Sequence, residues 1–277
     1  MVESELYILT EKKIKQQEKS KGDEFTSAIP NGIWMEEESE ENPYLAEKSY
    51  LYGYNFEELV KAKSYVEMLF LMLKGDLPNA QQSRLLEFLL KAFITPGIRH
   101  PATRAAMNAG IGRTEISHIL PIGLQVLSSD YLGSKEVANC MQFLEKSIEK
   151  SPLEIVRKVE CESNKPNPIP GFGTIYNGFD ILTQNLANHI DDTGLPYVKW
   201  ANEFVALLNL HQPGKLSWLP TGLAATIMCD LGLNYRIGCG LFQILQAPGL
   251  MMHGVEKANK ALTEMPFISE DKYVITT

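Results

Sequence analysis

Three groups of side chains in this 277-residue chain are of types that could do chemistry. Asp130 stands beside Tyr131, and a carboxylate next to a phenol can work as an acid/base couple. The competing reading makes Asp130 a helix N-terminal carboxylate, close to a cap at Ser134, where negative charge suits the helix dipole. Tyr176 and Asp180 follow the loop Asn164 to Gly173, which packs three prolines and two glycines into ten positions. Prolines stiffen such a loop and glycines let the backbone approach a ligand, although the same pattern also serves a plain turn. The four cysteines, Cys140, Cys161, Cys229 and Cys239, show neither a CxxC pair nor a histidine at metal-ligand spacing. They are expected to be reduced thiols with no metal; Cys229 and Cys239 fall in apolar helical segments, where packing outweighs nucleophilic use. Of the histidines, His118 falls on a striped helix, His253 is expected to be packed, and His100 lies near enough to Thr95 to reach a cleft.

Helices must position these groups. Leu59, Tyr65, Val66, Leu69, Phe70 and Leu73 recur at helical spacing, and the segment stops at Gly75. Asn79 is placed to cap a helix carrying Leu85, Leu86, Leu89, Leu90 and Phe93. Thr114 and Ser134 are expected caps for the next two, and Ser151-Pro152-Leu153-Glu154 is a capping box with proline at the first helical position. Tyr197–Leu210, Thr221–Leu231 and Tyr235–Gln246 add three more striped segments. No period-two run is bounded by hairpin dipeptides, so the expected class is all-α. The acidic run Met35 to Pro43 reads as an exposed loop. Residues 1–24 read as a charged lead-in without the apolar core of a signal peptide, and Leu69–Leu73 is too short to span a bilayer. With 26 basic and 34 acidic residues the net charge is −8, which argues against nonspecific binding to nucleic acid or an anionic membrane. A cytoplasmic location is expected.

The motifs then point to a family. Leu51-Tyr52-Gly53-Tyr54 with Lys74-Gly75-Asp76-Leu77-Pro78, Pro170-Gly171-Phe172-Gly173 with Tyr176 and Asp180, Gly222-Leu223-Ala224-Ala225 through Asp230-Leu231-Gly232, and Ala247-Pro248-Gly249-Leu250-Met251-Met252-His253 occur in order. Together with Ile29-Pro30-Asn31 they resemble the citrate synthase / citryl-CoA lyase family over roughly residues 25–260, at the length of its short citryl-CoA lyase-like branch. The resemblance implies a large and a small helical domain with the active site in a cleft between them, usually in a homodimer. Approximate boundaries are a lead-in at 1–24, large-domain helices at 25–165, a glycine-loop and small-domain region at 166–245, and a return to the large domain at 246–277. It also implies joining or splitting a carbon–carbon bond next to a CoA thioester. That chemistry needs a carboxylate base, histidines on the enolate and keto oxygens, and arginines on the carboxylates.

Carried over by position, most of these side chains are replaced. The histidines of "DHG", "HGGA" and "GFGH" fall on Pro96, Tyr131 and Thr174, the arginine of "DPR" on Leu182, the aspartate of "NVD" on Thr221, and a further arginine on Gln246. Threonine is no base at neutral pH, and leucine cannot hold a carboxylate. Pro96, Thr174, Leu182, Thr221 and Gln246 are therefore expected to line an altered substrate pocket, with Asp130, Tyr131, Tyr176 and Asp180 as the candidate catalytic groups. Gly171, Phe172, Gly173, Leu219 and Pro220 are the candidates to approach coenzyme A through main-chain N–H groups. The expectation is a protein acting on an acyl-CoA or small carboxylic acid in a carbon–carbon bond or acyl-transfer step, with a CoA thioester as substrate and no permanently bound cofactor. The alternative is an inactive homologue that senses CoA or regulates an oligomer, as a homodimer or beside an active paralogue.

Overall fold

A computed structural model describes residues 31–162, 169–211, 217–265 and 268–274. The lead-in at 1–24, Ile29-Pro30, the loop residues Asn164 to Pro168 and the side chain of Cys161 lie outside the described residues. Among the described residues, eleven α-helices dominate with only short strands, so the fold is all-α as expected. It divides into two compact units at Ser83/Arg84.

In the first unit, β1 (Trp34–Glu38), β2 (Ala46–Leu51) and β3 (Tyr54–Asn55) form an antiparallel sheet in that order. The acidic run is therefore only partly the expected loop: Met35 to Glu38 belong to β1, and Ser39 to Pro43 are a mostly exposed connection toward β2. Apolar alternation is missing because β1 is exposed on nearly every residue. Cross-strand polar pairs serve instead, with Glu37 taking both an ion pair from Lys48 at 3.3 Å and the Tyr50 hydroxyl at 3.0 Å. Tyr52 and Gly53 turn β2 into β3 with φ of 49° and 86°, the two positive values a tight type I′ hairpin requires.

The single stripe from Leu59 to Leu73 is two helices, α1 (Phe56–Ala62) and α2 (Tyr65–Lys74). Lys63 is extended, and Ser64 opens α2 through a full capping box with Glu67. That S-x-x-E signal lay in the sequence and outranks the continuous stripe. Gly75 closes α2 at φ 81°, as expected. Leu51, Leu59 and Leu71 form the core of this unit, packed by Trp34, Phe56 and Met68. Asn79 caps α3 (Ala80–Ala92), exchanging two bonds of 2.9 Å with Gln82.

The second unit contains α4 (Pro101–Ile111), α5 (Ile116–Leu127), α6 (Ser134–Ser147), α7 (Pro152–Glu162), α8 (Ile181–Asn188), α9 (Pro196–His211), α10 (Pro220–Asp230) and α11 (Tyr235–Ala258). Helix α11 runs past its expected end at Gln246 and packs on α4, α5 and α6, while α10 packs on α6 and α9. Pro248 lies inside α11, and the next N–H, that of Gly249, donates to Ile94 O at 3.0 Å. A Cβ on Gly249 would sit 2.3 Å from the Thr95 Cβ, so glycine here brings the 94–97 loop against the helix. Two of the expected caps are corrected. Glu115 and Gly133, neither with a side-chain bond, occupy the N-cap positions of α5 and α6. Ser134 is already helical and buried, and its hydroxyl accepts from Gln243 on α11 at 3.1 Å.

Asp230, at the end of α10, accepts the Tyr197 and Val198 N–H groups at 3.0 and 2.9 Å, satisfying the open first turn of α9. Burial nevertheless pushes its carboxyl up to about 6, against those two bonds. With the folded value raised above the ordinary 3.8, its contribution to stability is complete below 3.8 and is lost as pH rises through about 6. Carbon-13 NMR of the Asp230 carboxyl should show a midpoint near 6; an ordinary aspartate midpoint would contradict this placement. Among the described residues no helix is long and apolar enough to cross a membrane.

Candidate functional site

A cavity of about 430 Å³ in the second unit is built from five pieces of chain. They are the end of α3 with the loop to α4, Leu132 before α6, the stretch from Ile175 into α8, Pro220 on α10 and Gln246 on α11. Six positions singled out in the sequence line it: Pro96, Tyr176, Asp180, Leu182, Pro220 and Gln246. His100, Arg99 and Thr95 join them.

The polar groups lining the cavity are largely engaged with the protein. His100 is buried and caps α4: Nδ1 accepts from Ala102 N at 3.1 Å, and Nε2 lies 3.1 Å from Leu132 O. This pattern requires the neutral ring protonated on Nε2. Burial also holds its pKa below the ordinary histidine value, opposed by the bond to Leu132. Asp180 caps α8, accepting the Thr183 N–H at 3.0 Å and the Thr183 hydroxyl at 2.6 Å. The Tyr176 hydroxyl donates to Arg99 O at 3.2 Å, from a backbone held at φ 50°. Tyrosine rarely adopts that conformation, and such strain persists only where surrounding contacts fix it.

Leu132, also at positive φ (55°), is clamped from both sides. Its carbonyl meets His100, and its N–H donates to Glu136 at 2.6 Å. Glu136 is the unforeseen centre of the region. Its carboxylate also accepts the Thr221 hydroxyl at 2.9 Å and the Gly171 N–H at 3.4 Å. Burial raises its pKa, while the bonds from Thr221, Leu132 and Gly171 pull it back. The sequence signal for it was a carboxylate on the same helical face as Val137, Cys140, Met141 and Leu144, all buried. For His100 the signal was a side chain able to accept, placed directly before Pro101 at a helix start.

The remaining candidates lie elsewhere. Asp130 is 72% exposed and pairs with Lys135 at 3.6 Å. Tyr131 faces solvent outside the cavity. Thr221 is buried against Glu136, and Thr174 is half-buried off the cavity wall. Gly171, Phe172, Gly173 and Leu219 are buried with much of their main chain engaged internally. Leu219 N donates to Gly171 O at 3.0 Å, and β4 (Phe172–Gly173) pairs with β5 (Ser217–Trp218). The Phe172 ring sits 5.2 Å from both Phe204 and Trp218, as a core anchor for the loop. Gly171 (φ 80°) touches α10 so closely that a Cβ on Gly222 would lie 1.9 Å from Gly171 O. Cys140 and Cys229 are buried, and burial pushes both thiols up, away from thiolate reactivity. His118 is exposed and His253 half-buried on α11. Among the described residues no group of three or more His, Cys, Asp or Glu side chains is placed to hold a metal ion. A second cavity of about 550 Å³, lined by α8 and α9 residues such as Gln184, Asn188 and Asn202, contains none of these positions.

The helical arrangement is a citrate synthase-like fold, as its likeness to solved structures shows. Over 90% of its length the chain is similar to citryl-CoA lyase from Hydrogenobacter thermophilus, at 26% identity and a TM-score of 0.72, spanning 94% of that structure. Two likenesses at lower identity show the fold alone. ATP citrate lyase from Methanosaeta concilii, in complex with (3S)-citryl-CoA, matches at 15% identity and a TM-score of 0.67, over 94% of this chain and 44% of that one. Citrate synthase from Thermoplasma acidophilum, in complex with carboxymethyl coenzyme A and oxaloacetate, matches at 14% and 0.60, over 78% and 58%. No protein-family model matches the sequence, and no curated protein matches it.

Proposed function

We propose that this protein binds a small acyl group, presented as a coenzyme A thioester, without enolising it, and works as a CoA-sensing or regulatory subunit in a dimer with itself or an active paralogue. One observation carries this reading. The cavity-lining groups that could move a proton, His100, Asp180 and Tyr176, already hold a helix start or a loop in place. To act as a base, Asp180 would have to release Thr183, and His100 would have to give up its cap on Ala102. The thioester comes from the similarity to citryl-CoA lyase and from the CoA compounds in the two fold relatives.

A second reading is favoured by Tyr176, held at φ 50° and lining the same cavity as Asp180. In it, Tyr176 and Asp180 act as an acid/base pair in a carbon–carbon or acyl-transfer step. Incubation with acyl-CoAs and 2-oxo acids, followed by mass spectrometry, separates the two. The proposed function expects thioester binding with no product. Product lost in Tyr176→Phe and Asp180→Asn supports the second reading.

A further inference from the structure

Among the described residues three buried side-chain polar atoms have no hydrogen-bond partner: Thr103 Oγ1, Trp218 Nε1 and Gln246 Oε1. Of these residues only Gln246 lines the 430 Å³ cavity, and it is 3% exposed. An amide oxygen buried without a donor forfeits its hydration and receives nothing in return. Its neighbours on the same face of α11, Phe242, Leu245 and Leu250, are apolar and buried. An apolar side chain at 246 would suit that packing and avoid the penalty, so the acceptor calls for a donor arriving through the cavity.

We propose that the cavity takes a small, mainly apolar, uncharged group bearing one N–H or O–H donor, received by Gln246 Oε1. The walls that would enclose it include Phe93, Ile98, Leu132 and Leu186. A carboxylate fits this environment poorly. At neutral pH it brings only acceptors, so it can take the Gln246 Nε2 donors but leaves Oε1 unsatisfied, whereas a primary amide serves both atoms. The cation among the lining residues, Arg99, is solvent-exposed, where water and salt screen it. Asp180, the anion, is engaged by Thr183. A primary amide or an alcohol satisfies Gln246 and keeps its remaining surface apolar. The inference rests on the reading of this cavity as the acyl site and names the class of group it selects.

A matched pair of probes tests it: 3-methylbutanamide and 3-methylbutanoate, nearly the same shape, one a neutral donor and one an anionic acceptor. Ligand-observed NMR titrations of the full chain at neutral pH should show the amide binding at least about ten-fold more tightly. Gln246→Met, similar in shape but with no strong acceptor, should erase that preference while the thermal midpoint holds or rises. Gln246→Arg, which puts a cation in place of the acceptor, should invert it. The proposal is overturned if the carboxylate binds as tightly as the amide to the native protein, or if neither binds. It is equally overturned if the preference survives Gln246→Met, or disappears only with a fall in the thermal midpoint. Because neither probe carries coenzyme A, failure of the native protein to bind acyl-CoA would sink the CoA reading and leave the amide preference standing.

Discussion

Glu136→Ala should destabilise the protein by about 3 kcal/mol or more and loosen the cavity wall at Leu132. The carboxylate accepts from Leu132 N–H, Gly171 N–H and the Thr221 hydroxyl, at 2.6, 3.4 and 2.9 Å. Alanine leaves these donors facing a void in a buried place, and each unsatisfied buried donor costs on the order of 1–3 kcal/mol, not additively. Leu132 would also lose one of the two side chains that hold it at φ 55°. Glu136→Gln keeps one acceptor oxygen and removes the charge, so it should cost less than alanine. The sign of the pH effect follows from burial, which raises the folded pKa above the ordinary 4.5. The stability contributed by the protonated carboxyl is complete below 4.5 and is lost as pH rises through the folded value, a dependence the glutamine variant should lack. Urea unfolding of the three proteins across this pH range checks both statements. A loss under about 1 kcal/mol for alanine would mean that water replaces the carboxylate easily.

Gly222→Ala should be at least as damaging, at more than about 3 kcal/mol, and should displace the Gly171–Gly173 loop. The added carbon would sit 1.9 Å from Gly171 O and 2.7 Å from Gly171 C, both main-chain atoms that cannot swing aside. The loop has no slack. Gly171 O receives Leu219 N–H, Gly171 N–H reaches Glu136, and Phe172 is anchored against Phe204 and Trp218. Gly240→Ala, where a Cβ meets nothing within 4 Å, is the matched control and should change stability by under about 1 kcal/mol. Thermal melts of the two variants, with near-ultraviolet circular dichroism reporting on Trp218, test the contrast.

The helices were largely legible because their apolar stripes, caps and stops are local properties. Asn79, Pro152 and Gly75 mark helix ends in the structure where the sequence put them. The small sheet was not, because β1 is stabilised by Glu37 with Lys48 and Tyr50 across a solvent-facing ribbon and not by an apolar face. At the cavity, the order of the family motifs marked Pro96, Leu182 and Gln246, which structure gathers on one wall system. What sequence could not convey was commitment. Whether Asp180 is free or capping, whether His100 can titrate, and whether Gly171 offers its N–H to a ligand or to Glu136 all depend on residues 2 to 35 positions away.

The central claim is that a CoA thioester is held here but not enolised. One sample tests it: acetyl-CoA with the full chain in deuterated buffer, followed by proton NMR. Saturation transferred from the protein to the acetyl-CoA signals should report binding, and the methyl signal should lose intensity to deuterium no faster than in buffer alone. Deuterium entering the methyl group faster than in buffer, and doing so only with the folded protein, would contradict the account.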